Sequence, residues 1–500
     1  MSGLLLVVLY GSVAGTLTRP SPLAGPVFTY SSEYLASSTV PLSVRMPARD
    51  EPYDARRVAP FLEGILPENP QTRRHWASML GADSDDPFSL LSKMGWDCPG
   101  AVQFCEPDEL DEMFDRTSEV VPVRESDIAD RLRALRNDDA SWAFPDERWS
   151  LGGQQGKFAL VQVGDGWGWA HGSAPTTHIV KAGIGRLHHQ ALVEHATMRA
   201  AAAVGVRTAP TEYRLFEDQP ALIVARYDRV GGPSGALRIH QEDFCSATGR
   251  LPARKYEVSG GPTMSDMMRL ISASSTDPGA DAWALLDFAA VNYVAGAPDG
   301  HSKNLSLLLL PGRTSIAPAY DMASGFPYDF GGVRTVALAI GGRRKLGEVV
   351  GKNWDRAAVN LGLSPDEVRA RVSRVAQAFP DAYASALSEV GMVGADGIKG
   401  RSLDRIARHC RQVVQQLSAG SGPSIMAHAV AARTTALTTK APAFPSYVPL
   451  CGTPTKKGPP CRRRGRCPYH RSIPASTARS FRAEQLTSLR RPEGNANLGG

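Results

Sequence analysis

Hydrophobic and polar positions divide the chain into a mixed first part, a mostly β middle and a helical later part. Alternating apolar runs predict a hairpin in "LLLVVLYGSVAGTLTR", turning around residues 11–15, and a strand in "VFTYSSEYL". Pro-punctuated loops and short helices follow, and one helix is capped by Asp85 or Asp86 and ends at Gly95. We therefore predict a mixed α/β module over residues 1–125.

Residues 126–145 are charged and predict a linker helix, after which the pattern is mostly β. "WSLGGQQGKFALVQV" predicts a strand, a Gly-rich turn and a second strand, while "THIVKAG" and "QPALIVARYDRV" predict two more strands. Between these two, "LHHQALVEHATMRAAAAVG" predicts a helix that ends at Gly205. Spacings of three and four residues put one stripe of this helix at Leu187, Ala191, Glu194, Met198 and Ala202.

After residue 240 the pattern is mainly helical, with helices predicted at 263–275, 282–296, 364–379 and 401–418. Ser364 and Pro365 form an N-cap and first-turn pair for the third of these helices. The opening run "MSGLLLVVLYGSVAG" has no basic residue before its apolar part, so it predicts a first strand rather than a signal peptide. No run of 18 apolar residues occurs, which predicts no membrane span.

Charge is distributed unevenly, and this changes the picture of the C-terminal end. The net charge is +6, yet residues 421–500 hold 13 Lys and Arg against 2 Asp and Glu, so the preceding 420 residues are mildly acidic. A basic tail rich in Pro, Ser and Thr is typical of disorder and favours polyanions. Seven cysteines are an odd and sparse set for this length, which argues against a disulfide framework and for a reducing, cytoplasmic compartment.

Candidate chemistry begins in the β-rich middle of the chain. A carboxylate on the apolar face of a helix needs a partner, and for Glu194 the lysine thirteen residues earlier, Lys181, is suitable. Protein kinases use such a Lys–Glu pair behind a Gly-rich loop to hold the ATP phosphates. The segment "SLGGQQGK" is either that phosphate-binding loop or an ordinary hairpin, and it lacks the Gly-Lys-Ser/Thr ending of a P-loop.

The segment "APDGHSKNLSLLL" concentrates polar residues immediately before an apolar strand. Asp299 and Asn304 have the spacing of a kinase catalytic Asp and its metal-binding Asn, and a predicted hairpin then leads to Asp321. Asp299 would orient a hydroxyl nucleophile, oxygen ligands from Asn304 and Asp321 suit Mg²⁺, and Lys303 could offset phosphoryl charge. The alternatives are a zinc ligand at His301 and a simple type I′ turn at Asp299–Gly300, but the turn leaves Asn304 and Asp321 unexplained.

The blocks of this sequence resemble the HipA family of serine/threonine kinase toxins, in the same order, over about residues 5–418. These blocks are "YGSVAGTLTR", "PLSVRMPAR", "ILPENPQTRRHWA", "DCPGAVQF", "SLGGQQGK", "HIVK", "ARYDR", "HQEDFC", "DGHSKN" and "PAYDMAS". The resemblance implies an α+β, two-lobed protein-kinase-like fold with an N-terminal α/β subdomain. The implied domains are 1–125 (N-terminal subdomain), 126–235 (linker helix and N-lobe), 236–420 (helical C-lobe) and 421–500 (basic, largely disordered tail).

The resemblance also implies a role for each matching residue. Asp299 would be the catalytic base with Lys303 beside it, Asn304 and Asp321 would hold Mg²⁺, and Ser150 would be autophosphorylated, which moves the Gly-rich loop away and switches the enzyme off. Two positions depart from the family pattern: Ala225 replaces an acidic residue, so adenine contact there would involve the backbone, and Gly156 would loosen the loop. The residues implied at the nucleotide site are Gly152, Gly153, Gln154, Gln155, Gly156, Lys157, Lys181, Glu194, Ile223, Val224, Ala225, His301 and Tyr320.

The tail adds a feature that lies outside the resemblance. Three thiols and one imidazole suit tetrahedral Zn²⁺, and six Lys and Arg within the same stretch would favour nucleic acid. The alternative is three unrelated thiols in a disordered tail. The candidate zinc ligands are Cys451, Cys461, Cys467 and His470.

The function implied by the resemblance is transfer of the ATP γ-phosphate to a protein hydroxyl. The implied partners are a helix-turn-helix, HipB-like antitoxin, its operator DNA, and a protein substrate in translation such as an aminoacyl-tRNA synthetase. Two alternatives stay open: a kinase-fold enzyme that phosphorylates a small molecule, and a DNA-binding repressor subunit with an inactive kinase body. Operator DNA would be bound through the antitoxin complex or the basic tail, and the repressor alternative would work through that tail.

Overall fold

The structure is a computed structural model, and it describes residues 3–418 apart from residues 22, 39, 139, 141–146, 233–234, 329–333 and 392–394. The predicted tail at 421–500 and the zinc ligands Cys451, Cys461, Cys467 and His470 lie outside the described residues. Within them, helices and strands are mixed, as the sequence predicts. No helix among the described residues is both long enough and apolar enough to span a membrane.

The first 115 residues form a small antiparallel sheet and short helices. Its strands are β1 (Gly3–Leu9), β2 (Ser12–Arg19), β3 (Val27–Tyr30) and β4 (Val102–Cys105), in the order β3-β2-β1-β4. The helices are α1 (Ser32–Ser37), α2 (Ala55–Gly64), α3 (Pro70–Leu80), α4 (Pro87–Met94) and α5 (Leu110–Asp115). The predicted hairpin is present, but it turns at residues 10–11 because β2 begins at Ser12.

Local capping explains two features of this region. The Asp86 carboxylate accepts the Phe88 and Ser89 backbone N–H groups at 2.9 and 3.2 Å, so Asp86 is the N-cap of α4, as predicted. The prediction that "VFTYSSEYL" is one strand is wrong beyond Tyr30. There the Ser31 hydroxyl accepts the Tyr34 N–H at 3.2 Å and starts α1.

A second, six-stranded sheet follows, with the order β5-β7-β6-β8-β10-β9. Its strands are β5 (Val120–Val123), β6 (Lys157–Val163), β7 (Gly166–Ala170), β8 (His178–Lys181), β9 (Thr211–Phe216) and β10 (Gln219–Ala225). Helix α6 (Glu125–Asn137) precedes β6, and α7 (Gln190–Ala203) lies between β8 and β9. Strand β8 is an interior strand, so Lys181 faces strand neighbours on both sides.

Two predictions for this region are wrong in part. The strand expected before the Gly-rich turn is absent, because residues around Trp149 bond to the first domain instead: Ser150 N donates to Asp97 O at 2.9 Å. Helix α7 begins at Gln190, so Leu187 lies outside the helix. Ala202 is exposed, which leaves Ala191, Glu194 and Met198 as the buried members of the predicted stripe.

The later part of the chain is mainly helical, as predicted. Its helices are α8 (Phe244–Ala247), α9 (Met264–Ser274), α10 (Pro278–Val294), α11 (Gly351–Asn360), α12 (Pro365–Glu389) and α13 (Ala395–Ser418). The strands from residue 229 onward are β11 (Arg229–Gly232), β12 (Gly235–Arg238), β13 (His240–Asp243), β14 (Ser306–Leu310), β15 (Arg313–Ile316), β16 (Thr335–Ile340) and β17 (Arg343–Lys345). Strands β13, β14 and β15 form a three-stranded antiparallel sheet.

Helix α12 continues ten residues beyond its predicted end at residue 379, through Pro380. A proline inside a helix costs about 3 kcal/mol because it removes one backbone hydrogen bond. Phe379 and Tyr383, one turn apart, are both fully buried on this helix. Burial of two aromatic side chains outweighs that cost, so the helix does not stop at the proline.

A buried cluster of charges joins the N-terminal part of the chain to strands β11 and β12 and to the segment before β8. The Asp97 carboxylate accepts hydrogen bonds from Arg229 at 2.8 Å and Arg238 at 2.9 Å, and from the Thr176 hydroxyl at 2.7 Å. Arg226 bonds to Asp228 on one side and lies 3.5 Å from Asp97 on the other. Burial raises the pKa of Asp97, but the three guanidinium groups outweigh it and hold this pKa well below its usual range.

We expect Asp97→Asn to lower the free energy of unfolding by about 3–5 kcal/mol, because it leaves buried arginines without their shared anion. Chemical denaturation of the variant and the wild type measures the difference. Asp83→Asn, at an exposed acidic position, is the matched control and should change stability by less than about 0.5 kcal/mol. Equal losses in the two variants would contradict a stabilising role for the cluster.

Candidate active site

The segment between α10 and β14 is a tightly hydrogen-bonded loop. The Asn304 side-chain nitrogen donates to the Asp299 backbone oxygen at 2.8 Å, which closes the loop across five residues. Gly300 lies so close to α10 that a Cβ there would be 2.6 Å from the Asn292 side chain. The spacing from Asp299 to Asn304 therefore corresponds to a defined turn and not to an irregular surface loop.

The hairpin β14–β15 positions Asp321 beside this loop. Leu307 and Leu309 of β14 are buried, and β15 pairs with β14 before the chain returns to Asp321. The Asn304 side-chain nitrogen also lies 3.4 Å from the Asp321 backbone oxygen. Asp321 has a φ of 59°, a left-handed conformation that few residues other than Gly adopt, and such strain is often found at functional sites. Asp299, Asn304 and Asp321 are thus brought together by one amide side chain.

Lys181 links this loop to α7. Its ammonium lies 2.7 Å from Glu194 Oε1 and 2.5 Å from Asp321 Oδ1, and Gln190 donates to the other Glu194 oxygen at 3.0 Å. The Lys181–Glu194 pair predicted from the sequence is therefore present. Burial lowers the pKa of Lys181, but the charges of Asp321 and Glu194 outweigh it, so the net pKa is raised and the ammonium stays charged. The charge of Lys181 likewise holds the pKa of Asp321 below its usual range, against the effect of burial.

The Gly-rich segment lies against residues 64–68, which run from the last residue of α2 toward α3. These residues are called the 64–68 segment below. Ser150 is fully buried and its hydroxyl donates to Ile65 O at 3.1 Å. Glu68 N donates to Gly153 O at 2.9 Å, and a Cβ on Gly152 would be 2.6 Å from Gly64 O. The close approach explains why glycine is needed at position 152.

Other residues of the Gly-rich segment face the second sheet and α7. Lys157 is buried, its ammonium donates to Gly152 O at 2.6 Å, and it lies opposite Lys181 on the neighbouring strand. Burial, and then the charge of Lys181, lower the pKa of Lys157 to about 8. Gln155 donates to Gln190 at 3.3 Å, Gln154 is exposed and Gly156 is buried. The predicted contacts of this segment with phosphate stay predictions.

Four other predicted site residues lie in β10 and directly before Asp321. Ile223, Val224 and Ala225 lie in β10, and the Ala225 N–H donates to Pro210 O at 2.9 Å. The Tyr320 hydroxyl donates to Lys303 O at 2.6 Å, and its ring stacks on Tyr227 with centroids 5.1 Å apart. Protein contacts hold Ala225 and Tyr320 in place. The roles predicted for Ile223, Val224, Ala225 and Tyr320 toward the nucleotide stay predictions.

Lys303 is bonded differently from what its predicted role requires. Its ammonium donates to Gly64 O at 2.8 Å and to Asp243 at 3.0 Å, and its side chain is buried. In this conformation Lys303 connects the loop at residues 299–304 to the 64–68 segment. To offset charge on a phosphoryl group it would have to leave this ion pair, so that role stays a prediction.

His301 is buried and neutral. Burial lowers its pKa to about 3, and Nε2 lies 3.8 Å from Asp299 Oδ1. Among the described residues, no group of three or more His, Cys, Asp or Glu side chains is arranged to hold a metal ion. This is evidence against the zinc-ligand interpretation of His301 and leaves its predicted place at the nucleotide site open.

Three residues at the site were not predicted from the sequence. Tyr256 donates a hydrogen bond to Asp299, and Lys255 pairs with Glu68 at 2.7 Å. Glu68 lies in a Pro-punctuated loop 187 residues before Lys255, and no spacing or periodicity connects the two. Only the folded chain brings them together.

Comparisons with known proteins show which family the chain resembles. A model described as the HipA N-terminal domain matches residues 5–105, and one described as the HipA-like C-terminal domain matches residues 149–383. A Sinorhizobium fredii protein provisionally named kinase Y4mE is 36% identical over 368 residues, which cover 72% of this chain and 87% of that protein. The chain belongs to the HipA family.

Other members of the family support the same assignment. The serine/threonine-protein kinase toxin HipA of Shewanella oneidensis is 28% identical over 369 residues, covering 70% of this chain and 82% of that protein. A solved complex of Shewanella oneidensis HipA with HipB and operator DNA contains a chain that matches with a TM-score of 0.71 and 24% identity, over 83% of this chain and 98% of that one. The HipA, kinase-like fold expected from the sequence is therefore confirmed.

We expect Lys181→Met to lower the free energy of unfolding by about 3 kcal/mol, because Glu194 is then buried without its counter-charge. The double variant Lys181→Met/Glu194→Gln should recover most of this loss, since the remaining amide carries no charge. Chemical denaturation measures both. Lys352→Met, at an exposed lysine of α11, is the control. Additive losses in the double variant would show that the two side chains do not act as a pair.

Proposed function

We propose that this protein is an ATP- and Mg²⁺-dependent serine/threonine protein kinase of the HipA toxin type, acting in the cytoplasm. The observation that carries the proposal is the joint placement of Asp299, Asn304 and Asp321 beside the Lys181–Glu194 pair. These are the parts that phosphoryl transfer requires: a carboxylate for the acceptor hydroxyl, oxygen ligands for a hard cation, and a fixed ammonium for phosphate oxygens.

The residues present fit a Mg²⁺ ion. Asn304 uses its amide nitrogen, not its oxygen, to bond the loop, and the Asp321 side chain is 38% exposed. Mg²⁺ is usually held by one or two protein oxygen ligands, with substrate phosphates and water completing its shell. A bound Mg²⁺ would neutralise phosphate charge, with Asn304 and Asp321 as its protein ligands.

The chain's own residues would then perform the following steps. Lys181, held by Glu194, binds phosphate oxygens of ATP, which compete with Asp321 for the Lys181 ammonium. Asp299 accepts the proton of the acceptor hydroxyl as the hydroxyl oxygen bonds to the γ-phosphorus and the bond to the ADP oxygen breaks. Positioning and charge neutralisation supply most of the rate.

Ser150 is proposed as the autophosphorylated residue. Its hydroxyl is buried against Ile65 O, so it must leave this position before it can accept a phosphoryl group. A dianionic phosphate cannot return to a site that faces a carbonyl oxygen, because two negative centres would then lie in contact without solvent. Phosphorylated Ser150 would thus hold the Gly-rich segment away from the nucleotide and switch the enzyme off.

The proposed partners follow from the family. The Shewanella oneidensis relative was solved with HipB and operator DNA, which supports a HipB-like, helix-turn-helix antitoxin and operator binding for this chain as well. The proposed substrate is a protein of translation, such as an aminoacyl-tRNA synthetase. Excess basic charge in residues 421–500 supports a contribution of that region to DNA binding.

Incubation of the full chain with Mg²⁺ and γ-labelled ATP should label the protein, and peptide mapping should find the label at Ser150. Asp299→Asn should lower transfer at least about 100-fold because the hydroxyl proton has no acceptor. Asp321→Asn should also lose activity, whereas Asp165→Asn, at an exposed hairpin position, should not.

The alternatives predict other outcomes. ATP turnover without protein labelling would favour a small-molecule acceptor. No turnover in the wild type, with equal toxicity of wild type and Asp299→Asn, would contradict an enzyme and favour a repressor subunit.

ATP affinity should depend on pH through Lys157. Its pKa of about 8 means that the ammonium, which attracts phosphate, is lost as the pH rises through this value. We expect ATP to bind up to about eightfold more weakly at pH 9 than at pH 7.5, which equilibrium binding measurements can test. Lys157→Met should bind ATP weakly at both values and lack the pH dependence, and Lys352→Met should behave like the wild type. A wild-type affinity that is constant over this interval would contradict the role of Lys157.

A further inference from the structure

The carboxylate of Asp299 is exposed and weakly held. Its side chain is 60% exposed, and His301 Nε2, at 3.8 Å from Oδ1, is beyond hydrogen-bond distance. Among the residues that the structure describes, the only hydrogen bond to this carboxylate comes from the Tyr256 hydroxyl, which donates to Oδ1. The orientation of Asp299 therefore depends on Tyr256, while Oδ2 stays available to another donor.

Tyr256 is itself held against the loop at residues 299–304, which carries Asp299. Its ring packs edge-to-face against the His301 ring, with centroids 4.8 Å apart and an interplanar angle of 83°. The preceding backbone oxygen, Lys255 O, accepts the Ser302 hydroxyl at 2.8 Å and the Ser302 N–H at 3.3 Å. Because Ser302 is fully buried, residues 255–256 cannot move without disturbing the loop that carries Asp299.

Lys255 connects this arrangement to the 64–68 segment. Its ammonium lies 2.7 Å from Glu68 Oε2, and both side chains are more than nine-tenths buried. The other Glu68 oxygen, Oε1, is buried without a hydrogen-bond partner among the described residues. A buried ion pair with an unsatisfied oxygen is a poor source of stability, so its presence is better explained by the position it imposes.

We propose that Tyr256 is a positioning residue for Asp299 and that Glu68 acts through Lys255 to hold Tyr256 in place. The 64–68 segment then belongs to the catalytic apparatus, although it is 231 residues away from Asp299 in the sequence. This inference rests on the proposed function, since it takes Asp299 as the acceptor of the substrate proton. Tyr256 keeps Oδ1 occupied and so presents Oδ2 to the incoming hydroxyl.

The decisive variant is Tyr256→Phe in the full chain. It removes one hydroxyl from a half-buried side chain and leaves the ring contact with His301 intact. When the Asp299 carboxylate loses its orienting hydrogen bond, the enzyme should transfer phosphate about 10- to 100-fold more slowly, because small misplacements of a catalytic group have effects of this size. We expect kcat to fall by that factor while the KM for ATP and the midpoint of thermal unfolding stay unchanged. Tyr213→Phe, on the edge strand β9, is the matched control.

Variants at Glu68 and Lys255 test the link between the two regions. Glu68→Gln and Lys255→Met should each lower kcat, and Lys255→Arg, which keeps the ion pair, should retain it. The double variant Glu68→Gln/Tyr256→Phe should be no slower than Tyr256→Phe alone, because both changes break one series of contacts.

Each opposite result would overturn the inference. One such result is a kcat of Tyr256→Phe equal to that of the wild type. Another is a loss of kcat in Glu68→Gln/Tyr256→Phe equal to the product of the two single losses. A third is a higher kcat in Tyr256→Phe, which would mean that the Tyr256 hydroxyl blocks the acceptor position. The proposed function is judged separately. Phosphate transfer by the wild type that disappears in Asp299→Asn supports the kinase assignment whatever Tyr256→Phe does.

Discussion

The ion pairs and hydrogen bonds of the buried Asp97 carboxylate link the N-terminal part of the chain to strands β11 and β12 and to the segment before β8. A charge without water must be matched by opposite charge and hydrogen bonds, and Asp97 obtains both from Arg229 of β11, Arg238 of β12 and Thr176 before β8. Apolar packing alone would allow neighbouring surfaces to slide, because it has little directional preference. The guanidinium groups restrict such sliding since their hydrogen-bonding geometry is fixed.

The same requirement organises the candidate active site, where several buried charges lie close together. Lys181 is shared by Glu194 and Asp321, and Lys303 is shared by Asp243 and a backbone oxygen. Each ammonium has more than one acceptor, so a ligand can replace one acceptor without leaving the charge unpaired. Under the proposed function, such sharing would let phosphate oxygens enter a site that is already neutralised, at little cost in desolvation.

Sequence analysis predicted the parts of the fold and site that depend on residues close together in the sequence. The spacing of Asp299 and Asn304 and the hairpin before Asp321 are local, and the Lys181–Glu194 pair follows from one strand and the next helix. What could not be predicted depends on distant contacts: the strand absent before the Gly-rich segment, the ion pair of Lys303, and the bond from Tyr256 to Asp299. Helix α12 passes Pro380 for the same reason, since burial of Phe379 and Tyr383 is decided by the tertiary structure.

The bond between Lys303 and the Gly64 carbonyl joins residues 239 positions apart. During synthesis the 64–68 segment leaves the ribosome before the loop at residues 299–304. At about 5–20 residues per second, synthesis of the residues between them takes roughly 12–48 seconds. Until then the chain has one side of the candidate site and lacks the other. A chain that ends before Asp321 therefore lacks part of the candidate site, and the order of synthesis delays assembly of that site until residue 321 has been made.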